Sequence, residues 1–200
     1  MPDLVTPPLV LLAVAVGAYL LGSVPFGLVM ARLFGLGDLR AIGSGNIGAT
    51  NVLRTGNKLA AFLTLVGDSG KGALAVILAR GLVADDAGQV AALAAFLGHA
   101  FPVYLRFRGG KAVATFLGTL LAVSVPLGAA TCLGWLAFAA ATRISSVGAL
   151  GAAAVAPAAA LWLRPEAVAL ALAMGALIWA FHRANLKRLV RGEEPRIGSK

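Results

Sequence analysis

The chain has 200 residues, of which 60% are hydrophobic and only 12% charged, about half the charged share of a soluble domain. Its mean hydropathy is +0.89, so lipid is its solvent. The net charge of +9 reads as orientation in a membrane, where lysine and arginine gather on the cytoplasmic side, and no nucleic-acid partner is expected.

Seven apolar segments follow in chain order: about 9–34, 59–83, 89–105, 112–124, 127–142, 145–163 and 166–186. Membrane helices need about 20 residues or somewhat fewer. The start, Met1-Pro2-Asp3, lacks a basic region, and the apolar run after it is too long for a secretory signal. Segments 112–124 and 127–142 are short and flank Ser124-Val125-Pro126, so they read either as two elements or as one bent helix. The fold class expected is all-α: a polytopic transmembrane bundle of about seven helices, forming one domain over 1–200.

With seven spans and the N-terminus outside, the inner face receives Arg32, Arg40, Arg54 and Lys58, then Arg106, Arg108 and Lys111, then Arg143, and six more from Arg183 to Lys200. That is 14 of the 17 basic residues. Arg80 and Arg164 fall outside with Asp3, Asp85, Asp86 and Glu166, and Lys71 lies within a span. This imbalance predicts an outer N-terminus and a cytoplasmic C-terminus.

Three polar segments then share the inner face. The first, 43–57, holds four glycines, three asparagines, Ser44, Thr50, Thr55 and Arg54, and no acid. Glycines let backbone N–H groups converge on an oxyanion, and arginine adds a permanent forked cation. In the second, Gly109-Gly110 precede Lys111 at the start of an apolar run. A glycine turn opening a helix presents free N–H groups and the positive dipole end. Tyr104 and two phenylalanines alternate with Arg106 and Arg108, as suits an interfacial loop. In the third, His182, Asn185 and Leu189 share a helical face that continues the last span, while Arg183, Lys187 and Arg191 form a headgroup-facing stripe.

Asp68 and Lys71 interrupt the second span. Each costs roughly 2.5–3.5 kcal/mol on insertion scales, so a mutually neutralising i, i+3 pair is expected, with contact to the polar site as the alternative. The lone Cys132 reads as packing.

Taken together, the segments resemble the three cytoplasmic motifs of the bacterial acyl-phosphate:glycerol-3-phosphate acyltransferases, in order and through nearly the whole chain. Ser44-Gly45-Asn46-Ile47-Gly48-Ala49-Thr50-Asn51 with Arg54 is similar to the first motif. Gly98-His99 through Phe101-Pro102 and Gly109-Gly110-Lys111 is similar to the second. His182, Asn185, Arg188, Gly192 and Glu193 are similar to the third. Ala112 departs from the second motif, since glycine usually follows its lysine.

The resemblance implies acyl transfer from a fatty acyl phosphate to the C1 hydroxyl of sn-glycerol 3-phosphate in phospholipid synthesis. It implies no cofactor, no metal, and no need for acyl-CoA or acyl carrier protein. Ser44, Arg54, Lys111, His182 and Asn185 are the expected catalytic residues. Gly45, Asn46, Gly48, Thr50, Asn51, His99, Gly109, Gly110, Arg188 and Glu193 are expected to hold substrate and its phosphate. The expected setting is the bacterial inner membrane, with the site facing the cytoplasm, membrane lipids around it and a monomer as the working unit. Two rival classes fit less well. A transporter of phosphorylated metabolites needs a polar path, yet charge within the spans is limited to Asp68 and Lys71. The His-x₄-Asp pattern of other glycerolipid acyltransferases is absent, because Tyr104 and Lys187 stand five residues after the two histidines.

Overall fold

A computed structural model describes residues 3–198; Met1, Pro2, Ser199 and Lys200 lie outside it, and with them Lys200 of the inner-face count. Among the described residues, ten α-helices follow one another. They are α1 (Pro8–Gly22), α2 (Phe26–Leu33), α3 (Ala49–Leu53), α4 (Lys58–Leu82), α5 (Asp85–Ala100), α6 (Val113–Val123), α7 (Val125–Thr142), α8 (Ser145–Leu163), α9 (Val168–Phe181) and α10 (Arg183–Val190). The all-α class expected from the sequence is the one found.

Among the described residues, five stretches are long and apolar enough to cross a membrane: Pro8–Leu33, Lys58–Leu82, Asp85–Leu105, Val125–Thr142 and Ser145–Leu163. A sixth exists if Pro165–Phe181 and Arg183–Val190, bent by 58°, form one span. Helix α6, with 11 residues, extends only about 16 Å at 1.5 Å per residue, half a bilayer core. The count by length is therefore five to six, and the fourth of the seven expected segments is the short one. It is separate from its successor. Ser124 ends α6 and caps α7 through its side chain. The two helices then fold back on each other so closely that a side chain on Gly128 would strike the Leu121 backbone.

Two further interruptions were not expected. The first span breaks at Ser23–Pro25, because proline cannot donate into the helical ladder. The last does not continue through His182 but turns there into α10. Arg183, Lys187 and Arg191 are exposed while His182 and Asn185 are buried, so the expected two-faced pattern survives the bend.

Small residues bring the helices together. Gly22 lies against Ala95 between α1 and α5, and Gly118 lies against the Ser69 backbone between α4 and α6. The core contains Phe96, Phe116, Leu120, Met174 and Ile178.

Polar contacts link loops at each end of the bundle. At one end Arg40 donates to Arg108 O (2.8 Å), Thr50 meets Ser145 (3.1 Å), and Ile197 N–H reaches Arg143 O (2.6 Å). At the other, Asp86 takes the Val5 and Thr6 N–H groups and the Thr6 hydroxyl, while Asp85 pairs with Arg80 and Arg164.

Candidate active site

The first segment is a loop wound around one asparagine. Asn51, at the start of α3, is only 2% exposed. Its amide donates to Leu39 O and Asn46 O, both at 2.7 Å. Its Oδ1 accepts from Ser44 N–H (3.1 Å), the Ser44 hydroxyl (3.3 Å) and Arg54 Nη1 (3.3 Å). Every lone pair and proton of the amide is thereby occupied. The structure places Asn51 as the hub that fixes Ser44 and Arg54, with the Ser44 side chain exposed and Arg54 partly buried. Gly43 and Gly45 sit at φ +54° and +67°, a left-handed backbone that glycine adopts without strain.

The second segment returns upon itself. Gly109 N–H donates to Ala100 O and Gly110 N–H to His99 O, both at 3.2 Å. Gly45 N–H is likewise taken by Ile42 O. These three amides were expected to be free for an oxyanion, and they are not. Their glycines serve shape. A side chain at Gly109 would strike the His99 and Ala100 carbonyls, and one at Gly110 would strike His99 Nε2. Just beyond, α6 opens at Val113 after Lys111 and Ala112. Ala112 holds φ +58°, where an L-residue costs about 1–2 kcal/mol. Its methyl is buried in the main core, which offsets part of that.

The third segment converges on Glu194. Its carboxylate accepts from Arg188 Nε (2.7 Å), the Ser146 hydroxyl (2.8 Å) and the Asn185 amide. Asn185 in turn accepts from Lys111 Nζ, so the second and third segments are joined. Glu193, the expected partner of this motif, is exposed. The next residue makes the contacts, because Gly192 at φ +71° reverses the chain after α10. Two adjacent glutamates after a glycine carry no sequence signal to separate them. Ser145 and Ser146, which touch Thr50 and Glu194, also went unmarked.

His182 is buried, and its Nδ1 lies 2.8 Å from Ile178 O. That bond requires a proton on Nδ1 and leaves Nε2 as an acceptor. Ser44 and His182 share no hydrogen bond among the described residues, so no Ser–His nucleophile is assembled. Gly48 O accepts from Asn51 N–H, Thr50 meets Ser145, and Arg188 shares the Glu194 carboxylate with Asn185.

A cleft of about 320 Å³ lies between the first and second segments, with Phe181 at the edge of the third. Ser44, Gly45 and Asn46 line one side, Gly109, Gly110 and Lys111 another, and Ala100, Phe101 and Phe181 the apolar wall. Phe181 packs edge-on to Phe101 and stacks on Phe96. A larger hollow of about 400 Å³ near Arg80 and Asp85 lies at the opposite end of the bundle, away from all three segments. Burial removes water from the Lys111 ammonium and lowers its pKa to about 8; Glu194 opposes this shift, and Arg188 and Arg54 add to it. For Glu194, burial raises the pKa, but its hydrogen bonds from Asn185, Ser146 and Arg188 outweigh that and hold it below the usual range. The cleft is thus cationic and open, with an apolar wall, which suits a phosphate joined to a lipid chain.

Residues 12–192 match the family model described as glycerol-3-phosphate acyltransferase. A glycerol-3-phosphate acyltransferase of Jannaschia sp. (strain CCS1) is 62% identical over 198 residues, covering 98% of each chain. One from Dinoroseobacter shibae is 61% identical over 201 residues, covering 100% of this chain and 99% of that protein. Among solved structures, the glycerol 3-phosphate form of PlsY (YgiH), an integral membrane glycerol 3-phosphate acyltransferase, is similar with a TM-score of 0.88. It is 38% identical and covers 94% of this chain and 96% of that one. The lysophosphatidic acid form of PlsY gives a TM-score of 0.84 at 35% identity, with 94% and 95% covered.

Proposed function

The chain belongs to the glycerol-3-phosphate acyltransferase family, and from that premise we propose that its acyl donor is an acyl phosphate. The C1 hydroxyl of sn-glycerol 3-phosphate receives the acyl group, and the products are 1-acylglycerol 3-phosphate and inorganic phosphate. The observation that carries this reading is the single cleft shared by Ser44-Gly45-Asn46 and Gly109-Gly110-Lys111, with Lys111 held by Asn185 of the third segment. Two substrates that both carry phosphate repel one another, and Arg54 and Lys111 are the cations that offset this. The PlsY structures with glycerol 3-phosphate and with lysophosphatidic acid support the same acceptor and product here.

An acyl phosphate is already an activated anhydride, so no covalent acyl-enzyme is needed. The C1 oxygen attacks the acyl carbon, the carbon–oxygen bond to phosphate breaks, and the hydroxyl proton passes to the departing phosphate. Holding the reactants in line is worth roughly 7–11 kcal/mol. His182 Nε2, left an acceptor, and the Asn185 amide orient the glycerol hydroxyl. Ser44 and Arg54 steady the phosphate. The acyl tail lies along the Phe101–Phe181 wall toward lipid, gaining about 0.8 kcal/mol per buried CH₂.

The distribution of charge supports an outer N-terminus and a cytoplasmic site in the bacterial inner membrane. The test is phosphate release from palmitoyl phosphate by the purified protein. Release should require glycerol 3-phosphate and should fall about 10–100-fold in Arg54→Ala and in Lys111→Ala, the range for losing a charged hydrogen bond. Release that ignores the acceptor, or that survives both substitutions, overturns the reading.

A further inference from the structure

The scheme above leaves the buried pair Asp68–Lys71 unused. Both residues lie within α4, at 1% and 4% exposure. Lys71 Nζ carries three protons, and three acceptors surround it: Val24 O at 2.7 Å, Asp68 Oδ1 at 2.8 Å and His99 Nδ1 at 2.9 Å. An ammonium has no lone pair, so His99 Nδ1 is the acceptor and the ring proton is carried on Nε2. Asp68 Oδ1 is farther from that nitrogen, at 3.4 Å, and does not compete for it. Thr115, at the start of α6, donates to Asp68 O at 2.9 Å and ties α6 to the same point.

His99 is only 5% exposed, yet Nε2 makes no hydrogen bond with any described residue. It sits directly behind Gly110, and Asn46 Oδ1 flanks the same position. Gly110 and Asn46 both line the cleft. A donor with no partner among the described residues therefore lies against Gly110, a lining residue of the cleft, between the first and second segments.

We propose that Asp68 and Lys71 are positioning residues that hold the His99 ring so that its Nε2–H donates to a phosphate oxygen in the cleft. This rests on the reading of the cleft as the phosphate site. It also makes one structure of the two expectations for Asp68 and Lys71, since the neutralising pair reaches the polar site through a histidine on the neighbouring helix. The phosphate belongs either to glycerol 3-phosphate or to the acyl phosphate, and the KM that moves identifies which.

The decisive variant is His99→Asn. Its Oδ1 replaces Nδ1 as the acceptor for Lys71, so the buried network stays intact, but no donor reaches the cleft. It should melt within about 3 °C of wild type, while the KM for one of the two substrates rises about 10-fold or more. His99→Gln, whose amide lies near the Nε2 position, should recover most of that loss. Lys71→Met frees Nδ1–H to turn toward Asp68 and points the Nε2 lone pair at the anion, so it should raise the same KM. Combined with His99→Asn, it should add little, because both act on one bond. A folded His99→Asn enzyme with both KM values unchanged overturns the proposal, as does a double variant in which the two effects multiply. Calorimetric titration of the wild type with glycerol 3-phosphate separates the two levels. Absence of binding removes the cleft reading and this inference together. Binding and turnover by wild type, with His99→Asn indistinguishable from it, remove the inference alone.

Discussion

Lys111 concentrates the chemistry of the cleft in one side chain. Its pKa of about 8 means that it is charged at neutral pH and loses that charge as pH rises through 8. Phosphate binding favours the charged form, so kcat/KM should fall on the alkaline side with an apparent pKa near 8. Lys111→Arg keeps its charge throughout this range. Whatever activity it retains should lack the alkaline fall, and a pH profile of the two enzymes checks this. At this scale the sequence revealed residue types and not their duties. Ser44, Asn51, Arg54 and Lys111 were all visible as candidates, but the sequence did not show that Asn51 spends every hydrogen bond on its own loop. Nor did it show that Glu194 replaces Glu193, because a reversal at Gly192 depends on where the chain can return.

Among the elements, α6 carries the most consequence. It begins two residues after Lys111 and is packed against α4 by two glycines: Gly118 faces the Ser69 backbone, and Gly72 faces Thr115 and Thr119. Gly118→Val puts a branched side chain against backbone that cannot move aside. It should cost about 1–3 kcal/mol, seen as a lower melting temperature in detergent, and should reduce turnover by displacing Lys111. Apolar runs made every long helix legible. The interruptions were less so. The Ser23–Pro25 break had a proline to mark it, but a proline also suits the start of a helix, as Pro126 shows in α7. The bend at His182 has neither proline nor glycine. It follows from contacts of Asn185 with Lys111 and Glu194, partners 74 and 9 residues away, which periodicity along one helix does not encode.

For the molecule as a whole, the ion pairs and loop contacts, apart from the buried Asp68–Lys71 pair within α4, separate into two ends, with the three segments all at one. An outer N-terminus predicts a specific labelling pattern. In a Cys132→Ser background, a membrane-impermeant maleimide should reach Leu4→Cys in intact cells and Arg191→Cys only after permeabilisation. The reverse pattern would invert the orientation. The bundle also sets the depth of the cleft. Asp68, level with the start of α6 through Thr115, lies ten residues along α4 from Lys58, or about 15 Å. The second segment therefore dips well below the helix ends, toward the level where lipid headgroups give way to hydrocarbon. A water-soluble acceptor and a lipid-borne donor can meet there without either leaving its own phase.

The break between α1 and α2 leaves the Val24 carbonyl outside the helical ladder, and the Lys71 ammonium takes it. An interrupted helix and an ammonium in hydrocarbon are each a fault, and here each one repairs the other. Straightening the first span would take away one of the ammonium's three acceptors, and deleting the cation would leave the carbonyl only its 3.2 Å bond from Phe26 N–H. A change at positions 24–25 is thus felt at Lys71, although Lys71 stands 46 positions after Pro25.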